Sequence, residues 1–360
     1  MIKTDDKRYG FLLSITIAFI GGILFTVLHT PIPWLLGPMA SILIGARLGK
    51  IQLYWPSWFR NAGLIIVGYS IGLSFSKNAL IQILKQLPTM LMMTVLLVLF
   101  CAGIAFVVSK LTGVDYPTVL TGSIPGGLSQ MIIFAEEVKG IDLTTVTFLQ
   151  VARLMMIIFF VPFLVFGPIF QGTGKVSSES LLHTVQTPNT SIIWLAIICV
   201  ICAILAKRLK FPTPFLLGPI LGTAIVNISG LHGPALPVTI LDLSQFMIGG
   251  YIGLLLKPEK LQHKARVITL ALISGMVMIL GSLGLSLLLV SQEHITASTS
   301  FLSVAPGGMD QMGILAHEVQ ADLSMVTGFQ LFRLFFIYFV VPPLLRLIFK
   351  IGLKKETITT

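Results

Sequence analysis

Apolar residues fill the chain in twelve long runs, near positions 11–28, 33–48, 61–76, 88–109, 117–135, 143–170, 190–206, 214–229, 243–256, 266–290, 297–316 and 323–349. Many of these runs approach the length of a bilayer-crossing helix and carry few or no charges, so the pattern predicts an all-α, polytopic membrane protein. The longest polar stretches are residues 171–189 and the tail after Phe349, neither able to bury a core of its own. The first run follows Lys3, Lys7 and Arg8 as in a signal peptide. At about 18 residues, without a small-x-small cleavage site before His29, it reads instead as the first membrane helix.

The runs come in two matching sets. Pro31, Pro33, Leu35, Leu36, Gly37 and Pro38 recur 181 positions later as Pro212, Pro214, Leu216, Leu217, Gly218 and Pro219. The same offset carries Gly68 and Gly72 onto Gly249 and Gly253, and Pro125, Gly126, Gly127, Gln130 and Met131 onto Pro306, Gly307, Gly308, Gln311 and Met312. After a one-residue deletion, Asp142, Thr147, Gln150, Arg153 and Pro162 find Asp322, Thr327, Gln330, Arg333 and Pro342. A unit of about 170 residues is therefore duplicated. The expected organisation is a first membrane repeat over 1–170, a linker over 171–189, a second repeat over 190–350 and a short basic tail over 351–360.

Composition narrows the class. With 55% hydrophobic and 11% charged residues, the chain lies far from soluble domains, where charged residues run near a quarter. The net charge of +10 is spread over short loops rather than gathered on one element, which speaks against nucleic acid. If all twelve runs cross the bilayer, cytoplasmic and outer loops hold about 12 and about 10 Lys/Arg, with almost no bias. If the run holding Pro125-Gly126-Gly127 and its duplicate are re-entrant, the split becomes about 19 inside to 3 outside, as the positive-inside rule expects. Each half then crosses five times and the second copy runs upside down, with both termini cytoplasmic. A broken helix that does cross would restore the twelve-span arrangement.

Chemistry-bearing residues concentrate in two motifs. The first is Pro125-Gly126-Gly127 with Ser129 and Gln130, answered by Pro306-Gly307-Gly308 with Asp310 and Gln311. Proline removes a backbone donor and paired glycines permit unusual dihedrals, so each run should break into two short helices with bare backbone between them. Inside a bilayer such backbone must be buried in protein or reached by water, and the helix that starts after the break aims free N–H groups at that spot. A packing kink is the plain alternative. The second motif, Thr147, Gln150 and Arg153 with Thr327, Gln330 and Arg333, forms one polar stripe. Arg153 stands roughly 15 Å into its run, near the bilayer midplane. An arginine there costs about 2.5–3.5 kcal/mol on insertion scales.

Either arginine could instead belong to an internal ion pair. Asp310 is the acid best placed to supply one, but its counterpart is the uncharged Ser129. Two arginines and one carboxylate leave positive charge, and an anionic solute is expected. Glu136, Glu137, Asp142, His317, Glu318 and Asp322 read as loop or cap residues, with a proton-coupling role as the alternative. Gly68, Gly72, Gly249 and Gly253 read as close-packing positions.

Two copies of P-x-P-[WF]-L-L-G-P, each followed by P-G-G-x-x-Q-M and a Q-x-x-R-L helix, resemble the AbrB family of bacterial membrane proteins from about Gly10 to Lys350. The resemblance implies a regulator of gene expression, and some members carry an ammonia monooxygenase label; the small soluble DNA-binding regulator of the same name is a different protein. Six scattered histidines and Cys101, Cys199 and Cys202 inside apolar runs give no metal-ligand spacing, so neither an oxidation site nor a cofactor is expected. No soluble segment is large enough to present a DNA-reading element, so any regulation is expected to be indirect. The expected partners are the lipid bilayer and a small solute, with an oligomer possible, and no enzymatic activity is expected. A non-transporting regulatory or scaffold protein is the competing class.

Overall fold

The computed structural model describes residues 7–48, 53–126, 128–138, 140–167, 170, 190–231, 233–255, 264–293 and 295–356. Among them there are sixteen helices and no strand: α1 (Lys7–Val27), α2 (Pro33–Leu48), α3 (Ser57–Leu73), α4 (Lys77–Lys85), α5 (Leu87–Thr112), α6 (Tyr116–Ser123), α7 (Leu128–Glu137), α8 (Leu143–Val165), α9 (Thr190–Arg208), α10 (Pro214–Ile228), α11 (Val238–Gly253), α12 (Lys264–Glu293), α13 (Ala297–Val304), α14 (Met309–Glu318), α15 (Leu323–Phe339) and α16 (Val341–Glu356).

Twelve apolar runs become sixteen helices for identifiable reasons. The two Pro-Gly-Gly runs split into α6 and α7 and into α13 and α14, as expected of a proline beside two glycines. The last run turns at Val340, just before Pro342 and Pro343, to give α15 and α16. Helix α4 escaped the apolar pattern because Lys77, Asn78, Gln82 and Lys85 interrupt it. Ser76 opens it, its Oγ accepting from Ala79 N at 3.1 Å, and α4 leaves α3 at 88°. Among the described residues, five stretches are long and apolar enough to cross a bilayer: Lys7–Val27, Leu87–Thr112, Leu143–Val165, Ala271–Glu293 and Leu323–Leu347. The bent pair α3 and α4 would make a sixth. The ten crossings expected from loop charge are thus not reached by length alone. Helices α2, α10 and α11, of 16, 15 and 16 residues, measure about 24 Å against a hydrocarbon core of about 30 Å.

The chain forms two compact units, and these are cut along different lines from the repeats. The first takes Met1–Leu84, Ile158–Leu256 and Asp310–Val326; the second takes Lys85–Ile157, Lys257–Met309 and Thr327–Thr360. Each unit therefore draws elements from both copies.

In the first unit the copies meet by exchange. A Cβ added at Gly68 on α3 would stand 2.7 Å from Leu216 O of α10, and one added at Gly249 on α11 would stand 2.4 Å from Leu35 O of α2. Leu216 and Leu35 are themselves equivalent, so each glycine helix packs on the proline helix of the other copy. This is the i-to-j, j-to-i pattern of a two-fold contact. The entries to the proline helices match as well: His29 and Ile32 before α2, and Lys210 and Thr213 before α10, all have positive φ (50°, 48°, 56° and 43°). Pro33 and Pro214 then occupy the first helical position, where a missing N–H costs nothing.

Candidate functional site

The second unit holds both breaks and both arginines. Helix α6 ends at Ser123, Ile124 is extended, and the chain leaves through Pro125 and Gly126. A helix end leaves four carbonyls without intrahelical partners, which is costly inside a bilayer. Here α8 supplies the missing donors. Gln150 Nε2 donates to Thr121 O at 2.8 Å and Ile124 O at 3.0 Å. Arg153 donates through one terminal nitrogen to Gly122 O, Ser123 O and Ile124 O at 3.3, 3.0 and 3.0 Å, and through the other to Gln150 Oε1 at 2.7 Å.

The second copy repeats the clip. Gln330 Nε2 donates to Leu302 O, Ser303 O and Ala305 O at 2.8, 3.4 and 3.2 Å. Arg333 donates to Val304 O and Ala305 O at 3.1 and 2.8 Å, to Gly307 O at 2.8 Å and to Gln330 Oε1. The helix spacing of three residues explains the pairing: glutamine and arginine lie on one face, so the amide oxygen holds the guanidinium while both groups reach the same helix end. Lysine could not reproduce this fork.

Both arginines are deeply buried, Arg153 at 7% and Arg333 at 4% exposure, and within electrostatic reach of each other. Among the described residues the one ion pair is Glu137 with Arg346, at the surface, so neither buried guanidinium has a carboxylate partner. Arg153 Nε is buried without a hydrogen-bond partner, as is Thr327 Oγ1. Arg153 also borders a hollow of about 10 Å³ lined by Ser123, Ser274, Gly275 and Met278, slightly small even for one water.

The structure thus gathers Pro125, Gly126, Gln150, Arg153, Pro306, Gly307, Gly308, Gln330 and Arg333 into the second unit. Gly127 lies outside the described residues, as do the side chains of Ser129 and Gln130. Asp310 and Gln311 belong to the first unit, where Gln311 Nε2 donates to Asp310 Oδ2 at 2.9 Å. Asp142 caps α8, accepting from Thr144 N at 3.0 Å and Thr145 N at 3.3 Å, and Asp322 accepts from Met325 N at 3.0 Å at the start of α15. The sequence reading did not anticipate that the arginines serve helix ends. A signal was present, since a half-helix that stops in an apolar run always leaves carbonyls needing donors.

A family model described as "Transition state regulatory protein AbrB" matches residues 34–349, a span that contains both breaks and both clips. The chain belongs to the AbrB family. Among its relatives are "Uncharacterized protein YhjN" of Bacillus subtilis (strain 168), 27% identical over 384 aligned positions that cover 99% of this chain and 97% of the relative, and "Putative regulator AbrB" of Escherichia coli (strain K12), 25% identical over 335 positions, 90% and 92% of the two chains.

Proposed function

We propose that this AbrB-family chain is a non-enzymatic membrane protein that binds a small anionic solute beside the broken helices of its second unit, and carries or senses that solute across the bilayer. The observation that supports this reading is the pair of buried arginines with no carboxylate partner among the described residues. Magnitudes matter here. The C-terminus of a helix offers roughly half a negative charge, so each clip leaves about half a positive charge uncompensated, about one unit for the two together. An anion is the partner that such a site favours. The hollow beside Arg153 is too small for a solute, so binding requires the second unit to open. An inverted pair of repeats rocking about a midplane site would supply that motion, with both termini in the cytoplasm. The regulatory role in a relative's name would then follow indirectly, from the solute.

A second reading has its own support: the terminal nitrogens of both arginines are already engaged by carbonyls, as a purely structural cap in a non-transporting regulatory or scaffold protein would require. Thermal unfolding of purified protein against a panel of carboxylates and inorganic anions separates the two. Carrier or sensor function predicts a saturable rise, worth about 2.7 kcal/mol at a hundredfold excess over Kd, that Arg153→Gln removes. A panel in which no anion raises the melting temperature would leave the structural reading.

A further inference from the structure

The first unit contains a hollow of about 20 Å³, room for one water or a small bare ion. Its polar lining comes from Ser70 on α3, Ser244 and Gln245 on α11, and His317 and Glu318 on α14. Gln245 is only 2% exposed. Its Nε2 donates to Glu318 Oε1 at 3.1 Å, and that bond fixes which way the amide faces. Gln245 Oε1 is left buried with no donor to satisfy it, and the residue lines the hollow. Ser244 Oγ spends its proton on Leu241 O at 2.6 Å, so towards the hollow it can only accept. Asp242, one turn away from Gln245 on the same helix, lies within electrostatic reach of Glu318. Burial first, and the Glu318 charge second, raise its carboxyl above the usual carboxylate range.

The lining is mainly apolar, with its acceptors gathered on Gln245, Ser244 and Glu318, Asp242 close to Glu318, and His317 exposed at its rim. Water could satisfy the orphaned amide oxygen; a cation would answer that oxygen and the nearby carboxylates together. No group of three or more His, Cys, Asp or Glu side chains that could hold a metal ion converges among the described residues, so a cation here would depend on neutral oxygen donors as well. The other copy makes the arrangement specific: by the same 181-residue offset, Asn61, Gly63, Leu64, Glu136 and Glu137 stand where Asp242, Ser244, Gln245, His317 and Glu318 do. Only the acid at the last position is retained, and Glu137 is an exposed partner of Arg346.

We propose that this hollow is a binding site for a monovalent alkali cation, with sodium as the ion it suits, held by the Glu318 carboxylate, Gln245 Oε1 and Ser244 Oγ, with Asp242 supplying the second negative charge. The site lies wholly within the first unit and does not rest on the anion reading of the second, so it can be tested without any solute. Purified protein is unfolded thermally at mildly alkaline pH in sodium chloride, with choline chloride substituted at constant ionic strength. The expected result is a saturable, sodium-dependent rise in melting temperature. Its apparent affinity falls at least about tenfold in Glu318→Gln and in Asp242→Asn, and is unchanged in Glu137→Gln. Both site variants replace acids that are not fully buried, so they keep the fold available for the measurement. Equal curves in sodium and choline would overturn the proposal, and so would a response to calcium or to protons alone, or a sodium response that survives both variants.

Discussion

The two glutamine–arginine clips perform the same task on the same kind of helix end, yet they close differently. Arg153 gathers carbonyls only as far as Ile124, on the near side of the Pro-Gly-Gly link, and its Nε is left without a partner. Arg333 reaches past the proline to Gly307 O, so it ties the link itself to the end of α13. The equivalent first-copy residue, Gly126, instead donates its N–H back to Ile124 O at 2.8 Å. The first clip is a cap with a spare donor, and the second is a cap that also fixes the link. The first copy therefore keeps one guanidinium N–H that its helix end does not use.

Arginine deletion is the sharpest way to break that comparison. Removing either side chain leaves several buried carbonyls with no donor, and loss of one partner in a buried charged network costs about 3–5 kcal/mol. Arg333→Ala is expected at the upper end of this range, because the link is released as well, and Arg153→Ala nearer the lower end. Unfolding in detergent followed by circular dichroism measures both. Equal losses would mean that the contact to Gly307 adds nothing. Lysine variants sharpen the same point: Arg153→Lys should retain more stability than Arg333→Lys, since a single ammonium cannot span both sides of the second break.

A comparison within the first unit predicts the opposite, near-equality. Gly68 and Gly249 make reciprocal contacts with backbone carbonyls of α10 and α2, where no side chain can yield. Valine at either position forces the helices apart and should cost about 1–3 kcal/mol, slightly more at Gly249 because its carbonyl is nearer. The double variant should lose the sum if the two crossings are independent, which a thermal-unfolding cycle tests. A strongly unequal pair would show that the two crossings have diverged as the clips have.

Much of this was legible in the residues. The helical class, the breaks at Pro125 and Pro306 and the close approach at Gly68 and Gly249 all follow from local chemistry: apolar runs, proline beside glycine, glycine every fourth residue. Three features were not. Helix α4 hid behind its own polar residues. The division into compact units depends on which helices pack, and a repeat in sequence does not say whether its copies fold apart or interleave. That Arg153 and Arg333 bond backbone carbonyls was not read, because an arginine in an apolar run suggests a carboxylate or a ligand, whereas the carbonyls at a helix end also carry enough partial charge to engage it. Gln245 drew no notice at all. Its importance comes from Glu318, 73 residues away in sequence and bonded to its amide.

The smallest expected effect concerns Glu137 and Glu318, which occupy the same place in the two copies. Glu137 meets Arg346 with both side chains at least half exposed, and exposed pairs of this kind are screened by solvent and salt. Glu137→Gln should change stability by less than about 0.5 kcal/mol, at low or high salt alike. Glu318→Gln also keeps an acceptor for Gln245 Nε2, so in the absence of sodium its melting curve should lie close to that of the parent chain. The two variants separate only when the cation is added. If Glu318→Gln were strongly destabilising in choline chloride, the acid would be a structural partner of Gln245 first, and the asymmetry between the copies would reflect packing rather than a bound ion.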